Sequence, residues 1–270
     1  MGLYTDRLLP RVVDIALGRH TDPVRKRVTS GLSDEVLEVG FGGVEVMVGA
    51  AVEMVQVYEP AVVATPSAST RASGVPIRTE IDLAYEWEQE RPGGPRPMLA
   101  VTGTDGKTTT TFMVAHMLAT AGHRPAAVGN TEVPLVAALA DDVDVFVVEC
   151  SSFRLNWLQH FRAEAAVWLN LAPDHQNWHP SLAAYEAAKA RVWANRRPGD
   201  VAIGNADDAV VLRNLLAAGG TIRTFGRSTG DYRVMDGHLV GPSGKIVDVA
   251  SMSRTLPHDL TNALAAAALV

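Results

Sequence analysis

The chain has 270 residues, 47% of them hydrophobic and 20% charged, and a formal charge of −6. That length allows one large domain or two modest ones with ample core, and the acidic balance without a Lys/Arg block excludes a general nucleic-acid surface. The lone cysteine, Cys150, excludes internal disulfides and fits a reducing cytoplasm; no signal peptide is visible before Asp6 and Arg7, and the apolar run Ala263 to Val270 is too short to cross a membrane.

In chain order, Leu8, Leu9, Val12, Val13, Ile15 and Ala16 predict a helix, followed by the basic segment Arg25-Lys26-Arg27. Glu35 to Val39 then predicts an apolar strand running into Gly40-Phe41-Gly42-Gly43. That pairing looks like the first strand and loop of a Rossmann-type nucleotide site, although the fragment departs from GxGxxG and can equally mark a tight strand-to-helix turn. Ala61 to Ala64 reads as a strand, Thr65-Pro66-Ser67 as a turn, and Thr79 to Tyr85 closes a small extended element. Glu88 to Pro97 is rich in Pro and Gly and reads as a linker. A boundary near residue 95 divides a short α/β segment, 1–95, from a second domain, 96–270.

Met98 to Val101 predicts a buried strand, Gly103 to Gly106 a tight turn, and the period of Phe112, Met113, Ala115, Met117 and Leu118 a helix from Lys107 to near Gly122. A glycine turn between strand and helix lets backbone N–H groups close on an anion at the helix's positive end. Gly103, Thr104, Asp105, Gly106, Lys107, Thr108 and Thr109 would therefore cradle a nucleotide's phosphates. In that reading Lys107 reaches the β- and γ-phosphates and Thr108 holds Mg²⁺. The spacing, GxxGKT, is two residues shorter than the general pattern GxxxxGK[ST].

Strands and helices alternate from there. Strands are predicted at Ala126 to Val128, Val143 to Cys150, Ala165 to Leu171, Val201 to Gly204 and Ile222 to Phe225. Helices are predicted at Val133 to Ala140, Leu182 to Asn195 and Asp208 to Ala218. Such alternation implies a mainly parallel sheet flanked by helices, with ligands beyond the strands' carboxyl ends. Gly103, Glu149, Asn170 and His175 all fall there. A hairpin over Asp231 to Val249 and an Ala-rich helix from Leu260 complete the chain.

Glu149, at a strand mouth, can hold Mg²⁺ directly or through water, or can be a capping or solvated acid. His175, beside Asp174 in a loop, can ligate a metal or orient substrate, or be incidental. Lys189, on a helix of small and apolar residues, reads by itself as a snorkelling surface lysine. His160, His179, Trp168 and Trp178 take structural readings, and Cys150 that of a small apolar group.

The string from Val101 to Asp208 resembles the central ATP-binding domain of the Mur ligases, the ATP-dependent amide ligases of peptidoglycan assembly. The matching pieces are Gly103-Thr-Asp-Gly-Lys-Thr108, Gly129-Asn130, Glu149-Cys-Ser-Ser-Phe-Arg-Leu155, Asn170-Leu-Ala-Pro-Asp-His175, Tyr185-Glu-Ala-Ala-Lys189 and Asn205-Ala-Asp-Asp208. Ser-Ser-Phe-Arg-Leu is nearest to the Ser-Ser-Phe-Gln-Leu of the branch that adds D-glutamate, and Ile77 to Tyr85 resembles the end of that branch's UDP-binding domain. The resemblance implies two Mg²⁺ ions, with Glu149 and Thr108 on one side and His175 with a carbamylated Lys189 on the other. It also implies Asn130, Ser151, Ser152 and His175 as contacts to substrate and Asn262 as the adenine-side asparagine. Asp259 stands where the family motif has Asn, and Gln176-Asn177-Trp178 replaces a more usual Leu-Asp-Arg.

The implied substrates are UDP-N-acetylmuramoyl-L-alanine and D-glutamate, joined through an acyl phosphate with Lys107, Glu149, His175 and Lys189 as catalytic residues. Another Mur ligase, a folylpolyglutamate synthetase-type ligase and a non-catalytic nucleotide-binding remnant remain alternatives. The family's third domain has no counterpart before residue 270, so weak MgATP binding and no ligation are expected of these residues by themselves. Residues 1–45 with Val57-Tyr58-Glu59-Pro60 resemble instead the start of a class I S-adenosylmethionine methyltransferase, with Glu59 as the ribose-binding acid. The rest of such a domain does not follow, and a chimaeric or misjoined reading frame would account for the mixture.

Overall fold

The computed structural model describes residues 78–131 and 133–270 throughout, and before them the backbone of five short strands. The chain divides into two compact units. One comprises Met1–Pro95 with Glu132–Asp141 and Phe153–Phe161; the other comprises Arg96–Thr131, Asp142–Ser152 and Arg162–Val270.

In the first unit, β1 (Lys26–Thr29), β2 (Val36–Val39), β3 (Glu45–Val48), β4 (Val52–Val55) and β5 (Ile77–Arg78) form one sheet in that order. The first four pair antiparallel and only β4 with β5 runs parallel. This corrects the expected Rossmann-like start. The strand at 36–39 is present, but strands β3 and β4 occupy the stretch where a βαβ unit needs a helix. The physical reason is connection length: 40–44 and 49–51 are far shorter than the dozen or so residues a parallel crossover takes. The predicted helix at 8–16, the Gly40–Gly43 turn, the strand at 61–64 and Glu59 lie outside the described residues.

Thr79 to Tyr85, expected to be extended, instead begins α1 (Glu80–Gln89), which also takes the start of the expected linker. Thr79 is its N-cap, accepting from the Asp82 amide at 3.3 Å. Ile81, Ala84, Tyr85 and Glu88 are buried at the i, i+3, i+4, i+7 spacing of one helix face. The same unit holds the short helices α3 (Leu135–Ala138) and α4 (Ser152–Asn156, of which Ser152 belongs to the second unit). Tyr85 meets Phe161 edge-on at 6.1 Å. The Asp82 carboxylate accepts from the backbone amides of Gln159, His160 and Phe161. Glu80 accepts from the Val136 amide at 2.7 Å, and burial raises its pKa against the opposing pull of Arg154, 3.9 Å away.

The second unit is built on a six-stranded, all-parallel sheet: β6 (Met98–Thr102), β7 (Pro125–Gly129), β8 (Val145–Glu149), β9 (Ala165–Trp168), β10 (Val201–Asn205) and β11 (Thr221–Phe225), in the order β11-β10-β9-β6-β8-β7. Strand β8 is buried along its whole length and β9 likewise, as near-continuous apolar runs in a parallel sheet require. Flanking it are α2 (Lys107–Thr120), α5 (Leu182–Ala190), α6 (Ala209–Ala218) and α7 (Pro257–Leu269). Val114 of α2 joins Val101, Val147, Val167, Ile203 and Leu264, Ala265, Ala266, Ala268 and Leu269 of α7 in one core cluster. The hairpin region resolves into a three-stranded antiparallel sheet, β12 (Arg233–Met235), β13 (His238–Gly241) and β14 (Gly244–Asp248). The parallel α/β fold expected of the second domain is the fold observed. Among the described residues no helix is long and apolar enough to cross a membrane.

Candidate functional site

The loop from Gly103 to Gly106 joins β6 to α2, as the sequence predicts. Gly106 has φ 82°, and a Cβ there would lie 2.5 Å from Asn262 Oδ1, so the turn needs glycine twice over. Helix α2 starts on that glycine with no side-chain cap, leaving first-turn N–H groups for an anion. The loop is stiffened from outside by Asn170, whose Oδ1 accepts from the amides of Thr104 and Asp105, both at 2.9 Å, and whose Nδ2 donates to Asp105 O. Lys107 Nζ donates to Thr104 O at 2.8 Å, which holds the ammonium against its own loop.

Glu149, 2% exposed at the end of β8, accepts from Thr108 Oγ1 at 2.8 Å and from Asn130 Nδ2 at 3.3 Å. The backbone sets this up. Asn130 N donates to Glu149 O, and Gly129 (φ 99°) approaches so closely that a Cβ would lie 2.5 Å from that carbonyl. Three expected site residues are thus in direct contact: Thr108, Asn130 and Glu149.

Lys189 sits in the last turn of α5 and is 1% exposed, donating to Gly103 O at 2.6 Å. The snorkelling reading of this lysine therefore fails: the ammonium is inside. Its Nζ lies 4.5 Å over the Tyr185 ring, and Tyr185 OH lies 3.2 Å from Thr104 Oγ1. His175 has φ 52°, is 3.4 Å from the Asp174 carboxylate, and meets Tyr185 edge-on. Ser151 and Ser152 are both buried, and the Ser152 hydroxyl is bonded to His179 Nε2 at 2.9 Å. Burial, and then the charges of His175 and Lys189, hold the His179 imidazole down at about 4. Tyr185 and the loop-clamping side chain of Asn170 had no assigned role in the sequence reading. A tyrosine four residues before the lysine, on the same helix face, was the available signal.

A cleft of about 490 Å³ adjoins the loop, lined among others by Gly106, Thr109, Asn205, Arg227, Arg254 and Asn262. Asp259 also lines this cleft; it is 1% exposed, accepts from the Leu256 amide as the capping acid of α7, and pairs with Arg254 at 3.2 Å. His160 is exposed and pairs with Glu86, Trp168 meets Trp193 at a tilt with ring centroids 5.6 Å apart, and Cys150 is buried. Among the described residues no three His, Cys, Asp or Glu side chains are gathered for a metal. Thr108 and Glu149 nonetheless bring hard oxygens together beside an anion-ready loop, a donor set that fits Mg²⁺ on a nucleotide.

A parallel sheet, a glycine loop leading into a helix, and a lysine and threonine at that helix's first positions define a nucleotide-binding α/β domain of the phosphate-loop kind. Residues 101–270 match the Mur ligase middle domain, and the chain belongs to the Mur ligase family. It is 44% identical over 244 residues to the UDP-N-acetylmuramoylalanine–D-glutamate ligase of Frankia casuarinae, covering 86% of this chain and 50% of that one. To the ligase of the same name from Mycolicibacterium smegmatis it is 40% identical over 211 residues, covering 75% and 42%. The chain thus spans about half the length of the curated relatives it matches. The UDP-N-acetylmuramoylalanyl-D-glutamyl-2,6-diaminopimelate–D-alanyl-D-alanyl ligase of Acinetobacter baumannii superposes with a TM-score of 0.57 at 20% identity, covering 80% of this chain and 51% of that one, a likeness of fold.

Proposed function

We propose that the second unit binds ATP with Mg²⁺ and serves an ATP-dependent amide ligase that adds D-glutamate to UDP-N-acetylmuramoyl-L-alanine. The observation that carries this is the contact of Thr108 with Glu149 beside the Lys107 loop, in a chain 44% identical to a D-glutamate ligase. Lys107 leaves Thr104 O for the β- and γ-phosphates, the first-turn amides of α2 take the remaining phosphate oxygens, and Asn170 keeps the loop from yielding. Thr108 and Glu149 hold one Mg²⁺, and His175 with Lys189, as a carbamate, a second. When bound, the metal supplies neutralising charge on the triphosphate. Asn262 and the cleft beside it take the adenine side.

In the reaction the substrate carboxylate attacks the γ-phosphorus and ADP leaves, giving an acyl phosphate. The D-glutamate amine then attacks the acyl carbon, and inorganic phosphate and a proton depart as the amide forms. Asn130, Ser151, Ser152 and His175 line the substrate end of this site.

Two measurements test the reading. Lys107→Ala is expected to weaken ATP binding by about tenfold or more, since the loop loses its cation; affinity within about twofold of the parent would refute the site. In the whole protein, phosphate release with UDP-N-acetylmuramoyl-L-alanine is expected to depend on D-glutamate. Dependence on a different amino acid would assign another Mur ligase, and binding without turnover a nucleotide-binding remnant.

A further inference from the structure

His179 does more in this fold than fill space. His175 holds a left-handed backbone, φ 52°, which a non-glycine residue adopts rarely. Its carbonyl accepts from the amides of Trp178 at 3.0 Å and His179 at 2.9 Å, closing a single turn. The turn ends on His179, 2% exposed, which packs against Trp178 (4.4 Å) and Tyr185 (5.0 Å). Its Nε2 bonds Ser152 Oγ, 27 residues earlier in the chain and three residues beyond Glu149. One side-chain bond therefore ties the turn that carries His175 to the segment that carries Glu149. A turn held in an unusual backbone conformation relaxes when such a tie is cut, and its functional side chain moves with it.

We propose that His179 is a positioning residue, which through Ser152 fixes His175 relative to Glu149 so that both address the same Mg-nucleotide. This rests on the reading of His175 and Glu149 as metal ligands. Supporting side chains of this kind govern metal affinity without touching the metal.

The test uses the full chain with ATP and Mn²⁺ as a paramagnetic probe of the metal sites. Ser152→Ala and His179→Leu are expected to weaken Mn²⁺ binding about tenfold, while ATP affinity in EDTA stays within about twofold. His179→Gln, which keeps a polar group near the place of Nε2, is expected to restore Mn²⁺ binding to within about threefold of the parent. Parent-like Mn²⁺ affinity in Ser152→Ala would overturn the proposal. So would an equal loss of ATP affinity in EDTA, the mark of a general packing defect. If His179→Leu fails to fold, Ser152→Ala with His179→Gln decides. His175→Ala is the control on the underlying reading. If it leaves Mn²⁺ binding unchanged, His175 is no ligand, and positioning is then decided by the His175 imidazole resonances. They are expected to shift in Ser152→Ala; no shift would end the proposal.

Discussion

Asp82 in the first unit and Glu149 in the second are both buried carboxylates, 0% and 2% exposed, yet their partners differ in kind. Asp82 accepts from three consecutive backbone amides, Gln159 to Phe161, and from the Thr79 hydroxyl. The three amides are fixed in place by the chain. Glu149 accepts from two side chains, the exposed Thr108 and the half-buried Asn130, which can turn to water or to a ligand. A carboxylate bound by backbone is structural; one bound by movable side chains is free to exchange them for a cation. Burial alone does not separate the two roles, and the identity of the donors does.

The contrast can be broken most forcefully at Asp82. Asp82→Ala leaves three backbone amides without their acceptor, that of Phe161 buried, and a loss of about 3–5 kcal/mol in urea unfolding is expected. A loss below about 1 kcal/mol would show that the amides find other acceptors and that the contrast is false.

A smaller effect is expected from acid. The His179 imidazole is held at about 4 in the folded protein against 6.5 ordinarily. Above 6.5 it is neutral folded or unfolded and the full stability is present. As pH falls from 6.5 towards 4 only the unfolded chain gains the proton, so stability declines across that window. His179→Gln should flatten this part of the stability–pH curve relative to the parent. Parallel curves would contradict the assignment.

The smallest expected change in stability is at Glu149. Glu149→Ala should cost less than about 1–2 kcal/mol, because its donors regain water. A loss as large as that at Asp82 would mean that Glu149 too is structural.

Much of the second unit was legible in the sequence. Val145 to Val148 and Ala165 to Val167 are unbroken apolar runs, and a parallel sheet covered on both faces leaves no other reading. Gly103, Gly106 and Lys107 carry local geometry that sequence spacing displays directly. What stayed hidden depends on distant partners. Lys189 looks like a surface lysine until Gly103 O and the Tyr185 ring surround it, 86 residues of sequence separating donor from acceptor. His179 is one buried histidine among eight until Ser152 is found beside it. The helix α1 is legible too: Thr79 and Asp82 form a capping pair, and Ile81, Ala84, Tyr85 and Glu88 a helical face, a period that overrides the extended character of the residues before it. In the first unit two short Val- and Met-rich runs, Glu45 to Val48 and Val52 to Val55, with only three residues including Gly49 between them, were themselves a hairpin signal.

The exchangeable carboxylate is tested most directly by calorimetric titration of ATP into the full chain, with Mg²⁺ and with EDTA, for the parent and for Glu149→Ala. The parent is expected to bind about tenfold more tightly with Mg²⁺, and the variant to lose that difference while keeping its affinity in EDTA. An undiminished Mg²⁺ enhancement in folded Glu149→Ala would contradict the account.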